Sequence, residues 1–107
     1  MPHTSTKLIS EDQLVKIIVD LELTKTLIYH DLPDNEQLAE TIFQEQQALI
    51  FEKYAIDKAI FQQSYEHYLH TPQKFKLLQE AVITQLEQML QQTQEDAMMD
   101  NNNKIYS

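Results

Sequence analysis

The densest group of reactive side chains lies in FQQSYEHYLHTP, residues 61–72. Ser64, Glu66 and His67 could form a nucleophile, an acid and a base. His67 and His70 could form half of a metal site. A serine nucleophile needs a base within hydrogen-bond reach and a third group that orients the base. It also needs donors aimed at the developing oxyanion. On a helix His67 can reach Ser64, but Glu66 points about 160° away from it at 100° per residue. Two histidines three apart supply two ligands, whereas a stable site takes three or four. His30 and Asp31 are the other ligand types of note. The adjacent carboxylates Glu11/Asp12, Asp20/Glu22 and Glu95/Asp96 carry no apolar surround that would raise one pKa. These patterns give no catalytic residue, metal site or cofactor site, and no enzymatic activity is expected.

Composition narrows the classes further. The chain has 107 residues and no glycine, cysteine or tryptophan. Phosphate-cradling loops and nucleophile elbows need glycine for positive φ or close backbone approach. Without cysteine there is no disulfide, thiol catalysis or zinc–thiolate site. A net charge of −9 repels nucleic-acid phosphates. A nucleic-acid partner is therefore not expected; the charge suits a solvated acidic surface, or a basic protein partner. No apolar run reaches the roughly 20 residues of a membrane span. No signal peptide is visible, and residues 1–8 read as a leader or tether.

The elements that would position these groups are all helical. Four helices are expected, over about 11–30, 35–53, 58–69 and 72–92, as an antiparallel bundle with a short third member. Ser10 and Gln13 have the spacing of a capping box, and Ile9 and Leu14 that of a hydrophobic staple. Leu14, Ile17, Ile18, Leu21, Ile28 and Tyr29 share one face, widened by Val15, Val19 and Leu23. Asp20 falls opposite, paired with Lys16. Asp34 is the expected cap of the second helix. Its stripe runs through Leu38, Ala39, Ile42, Phe43, Leu49 and Ile50, with Gln46 near its centre, either buried and hydrogen-bonded or partly wet. Tyr54-Ala55-Ile56 is a break, and Asp57 caps the third helix. There Phe61, Ser64, Tyr65 and Tyr68 form one side, with the Ser64 hydroxyl returned to the Ile60 carbonyl. Thr71-Pro72 opens the fourth helix. Its stripe is Phe75, Leu78, Val82, Leu86 and Met89, with Ala81 and Ile83 beside it. Residues 93–107 are polar and aperiodic and read as a flexible tail.

The order of these segments resembles a Bacteroidota family catalogued as domain of unknown function 4296. The resemblance covers about residues 8–90. It rests on Ile18-Val19-Asp20-Leu21, on Ala55-Ile56-Asp57, and on Phe61, Ser64 and Tyr68 at F-x-x-S-x-x-x-Y spacing. It implies a small helical lipoprotein held at the periplasmic face of an envelope membrane by a lipidated cysteine, which this chain does not contain. It implies no activity. The reading that follows is a non-enzymatic envelope module that binds another protein through grooves between helices. Leu23, Leu27 and Phe51, which lie off their stripes, are the candidate contacts. The alternatives are a carrier of a small apolar ligand inside the bundle and a soluble cytoplasmic adaptor.

Overall fold

The computed structural model describes the backbone of residues 8–106 and the side chains of residues 8–98; the expected leader or tether over residues 1–8 lies outside this range except for Leu8. Four helices follow one another: α1 (Glu11–Asp31), α2 (Glu36–Lys53), α3 (Lys58–Leu69) and α4 (Pro72–Tyr106). No strand occurs among the described residues. Helix α1 touches each of the other three, and α3 also packs on α4. This central position explains the breadth of its apolar face. Leu14, Val15, Ile17, Val19 and Leu21 are all buried, so the flanking valines belong to the core rather than to its edge. Leu14, Ile17 and Leu78 are the largest fully buried apolar side chains. Each stabilises the fold by about 1.5–3 kcal/mol through burial.

Helix α2 packs mainly on α1 and therefore buries only a narrow strip. Ala39 and Phe51 are buried, whereas Leu38 and Leu49 remain exposed. Gln46 is exposed as well, so of its two alternatives the wet position holds.

The caps are mostly side-chain oxygens on backbone amides. Ser10 Oγ accepts from the Gln13 N–H at 3.3 Å. The second helix is capped one residue later than expected. Asn35, not Asp34, accepts the Leu38 N–H, at 3.1 Å. A turn closed by the Asn35 N–H on the Leu32 carbonyl sets this shift. Asp57 occupies the N-cap position of α3 in extended conformation but makes no side-chain capping bond.

The α2–α3 break is a Schellman motif built without glycine. The Ile56 N–H donates to the Phe51 carbonyl at 2.9 Å, and the Ala55 N–H to the Glu52 carbonyl at 3.0 Å. Ala55 adopts φ 55°, the left-handed region that glycine normally fills. Ile56 and Phe51, the apolar pair that usually accompanies the motif, both belong to the core cluster.

Helix α4 does not end at residue 92. It continues to Tyr106, for 35 residues in all. The apolar pattern stops where packing stops, because the side chains of residues 87–98 are exposed. Helix formation continues on good formers and local bonds. Gln91 donates to Glu95 at 3.4 Å and Gln92 to Asp96 at 3.2 Å. The Thr93 hydroxyl returns to the Met89 carbonyl at 2.9 Å. At 1.5 Å per residue α4 is about 52 Å long against about 32 Å for α1, so it outruns the helix it packs on.

Candidate functional site

Ser64 is 0 % exposed, sealed between helices. Its oxygen does not serve the Ile60 carbonyl. It accepts the backbone N–H of Ile9 at 2.9 Å, across 55 positions of sequence. The hydroxyl thus satisfies a donor in the segment leading into α1, which would otherwise be buried without a partner. His67 is exposed and stacks edge-on against Tyr68 at 5.8 Å. Neither His67 nor Glu66 is bonded to Ser64, so the triad geometry does not form. His30 and Asp31 pair only with each other, at 3.4 Å on an exposed helix end. Among the described residues no cluster of three His, Asp or Glu side chains could hold a metal ion.

Asp20 is not paired with Lys16. Its Oδ2 accepts from the Tyr54 hydroxyl at 2.6 Å and from Lys53 Nζ at 3.2 Å. Lys53 also lies 5.2 Å from the centre of the Tyr54 ring. Asp20 therefore ties the middle of α1 to the end of α2, beside the Schellman turn. Burial, the hydrogen bond to Asp20 and the Asp20 charge push the Tyr54 pKa up to about 12. Burial, then the charge of Glu11, raises that of Tyr68.

An aromatic chain crosses the molecule. Phe51 of α2 meets Phe61 of α3 at 5.2 Å, Phe61 meets Tyr65 at 6.1 Å, and Tyr65 meets Phe75 of α4 edge-on at 6.1 Å. Of the F-x-x-S-x-x-x-Y residues only Phe61 belongs to this aromatic chain; Ser64 is bonded to Ile9 and Tyr68 is partly buried against the core. The aromatic chain also forms part of the wall of a groove. Between α1 and α4 an open cleft of about 370 Å³ is lined by Ile18, Tyr65, Phe75, Val82, Ile83 and Leu86, with Leu78 beneath and Glu22 and Gln79 as polar groups. A second cleft of about 210 Å³ shares Ile18, Glu22 and Tyr65 with it and adds Leu21, Lys25, Phe43 and Phe61. The two form one apolar trough divided at Tyr65. Ile83 stands 55 % exposed at its edge. Leu90, 60 % exposed, continues the same α4 face at i+7 from Ile83.

The three residues named from sequence as contacts lie elsewhere. Phe51 is only 5 % exposed, covered by Phe61 of the short third helix, and is a core residue. Leu23 is half-buried against the core. Leu27 is 64 % exposed but lines neither cleft. The trough was visible in sequence only as an excess. Phe75, Gln79, Ile83, Leu86 and Leu90 recur at helical spacing beside the Leu78/Val82 stripe, making the apolar face of α4 wider than one neighbouring helix can cover.

No curated protein and no solved structure matches the chain. A family model described as "Domain of unknown function (DUF4296)" matches residues 6–94. That span takes in α1, α2, α3 and α4 as far as residue 94, including Asp20, Ser64 and the Schellman turn. The chain therefore belongs to the DUF4296 family.

Proposed function

We propose that this protein is a non-enzymatic binding module that holds a helical segment of another protein in the trough between α1 and α4. The open apolar trough, with Ile83 and Leu90 exposed along its α4 edge, carries this reading. A groove that presents side chains at i, i+3 and i+7 suits an amphipathic helix. Its aromatic walls also favour a second reading, a carrier of a small apolar ligand, since about 370 Å³ lies within the range of ligand pockets. The openness of the trough favours the helix. We place the module at a cell-envelope membrane through a lipid anchor, on the resemblance to small lipoproteins; no helix among the described residues is long and apolar enough to cross a membrane.

The test is a photoreactive residue at position 83 in the native cells, with position 74 on the far side of α4 as control. A discrete protein adduct from 83, absent from 74 and lost on Leu90→Glu, is expected. No adduct, together with saturable uptake of a small apolar dye, would transfer the trough to the carrier reading. Fractionation with mass spectrometry of the N-terminus tests the location, and an unmodified chain in the soluble fraction would refute it.

A further inference from the structure

We infer that the segment held by the trough is a basic amphipathic helix, and that Glu80 and Glu87 of α4, with Glu22 of α1, form the acidic side of that interface. The inference rests on the groove reading above and adds the chemistry of the partner. Between Lys76 and Lys104 the sequence contains no basic residue, yet it carries Glu80, Glu87, Glu95 and Asp96 on the described part of α4. Glu80 and Glu87 lie at i−3 and i+4 from Ile83, so they neighbour the exposed apolar edge on the helix surface. Across the trough Glu22 of α1 is the charged group in the main cleft, and Lys25 belongs only to the adjoining one.

The apolar edge also continues past the bundle. Ile83, Leu86, Leu90 and Ala97 share one α4 face at spacings of three, four and seven. From residue 87 to residue 98 that face has no helix of this chain packed over it. A helix lying along α4 from Phe75 to Ala97 would fill the trough and cover this edge, with acidic groups beside it. Lysine or arginine on the flanks of the incoming helix would then oppose Glu22, Glu80 and Glu87. A second copy of this chain is the wrong occupant. It would set one unneutralised acidic α4 against another in a molecule whose net charge is already −9.

The test uses the full chain and three synthetic helices of about 18 residues, five turns each. All share one leucine face, and their flanks are lysine, glutamine or glutamate. Fluorescence anisotropy should show the lysine peptide binding roughly tenfold tighter than the glutamine peptide at low salt, the scale expected of several exposed ion pairs together. The glutamate peptide should bind most weakly. Salt at about 0.5 M should close the gap. The variant Glu80→Gln, Glu87→Gln should also narrow it, and Ile83→Glu should weaken all three. These side chains are exposed, and circular dichroism checks that each variant folds. Equal affinity for the lysine and glutamine peptides would overturn the charge inference and leave the groove reading standing. No binding by any peptide would overturn both. A concentration-dependent dimer abolished by Ile83→Glu in sedimentation would give the trough to a second copy and overturn the inference.

Discussion

A serine beside a histidine invites a chemical reading, but Ser64 shows how a reactive group can be spent on a backbone amide. Its oxygen holds the Ile9 N–H at 2.9 Å inside the core. Ser64→Ala leaves that donor buried without a partner, and a loss of about 1–3 kcal/mol is expected in chemical denaturation. Exchange of the Ile9 amide should accelerate in the same variant; unchanged protection would show that another group satisfies this donor. Tyr54 makes the second residue-scale prediction. Its folded pKa is raised from 10.0 to about 12, so the folded state keeps a proton that the unfolded state loses first. The stabilisation is fully present below pH 10 and is lost as the pH rises from there through about 12. Absorbance titration should lose a late-ionising tyrosine near pH 12 in Tyr54→Phe, and Asp20→Asn should bring that titration earlier by removing the charge. A Tyr54 titration at the ordinary value would refute the bond to Asp20.

At the scale of elements, a chain without glycine lacks the residue that usually fills a left-handed helix cap. The α2–α3 turn uses one all the same, with Ala55 at φ 55°. A Cβ in this region costs on the order of 1 kcal/mol, compensated here by both Schellman bonds and the packing of Ile56 on the core. Ala55→Gly should therefore stabilise the protein by roughly 0.5 kcal/mol, the relief of strain being partly offset by a more flexible unfolded chain. A destabilised variant would mean that the alanine methyl is needed for packing. The ends of the helices were legible to within a residue or so at seven of eight termini, because Ser10, Pro33, Asp57 and Pro72 punctuate the chain locally. The eighth, the end of α4, was not. Loss of apolar periodicity reports where a helix stops packing, and residues 93–98 remain helical while packing on nothing.

For the whole molecule, charge is the dominant long-range effect. Ion pairs among the described side chains are few and exposed, His30–Asp31 and Lys53–Asp20, so they offset little of a net −9. Raising salt from about 20 mM to about 500 mM at pH 7 should screen this self-repulsion and raise Tm by several degrees. A fall in Tm would mean that the Asp20 contacts outweigh the repulsion. The same charge excess, concentrated on α4 beyond Lys76, is the basis of the preference for a basic partner that we propose.

The sequence by itself determined the four helices, the Ser10 cap and the family, because hydrophobic period, capping side chains and proline act over a few residues. It also excluded glycine-dependent and cysteine-dependent chemistry outright. Only the tertiary structure decided that Ser64 answers Ile9, that Asp20 answers Tyr54 and Lys53, and that Phe51 is core while Ile83 is surface. Each of those depends on which helices are neighbours. Periodicity says that a face is apolar; it does not say how many helices arrive to cover it. Helix α1 received three neighbours, and α4 kept an apolar edge that none of them reaches.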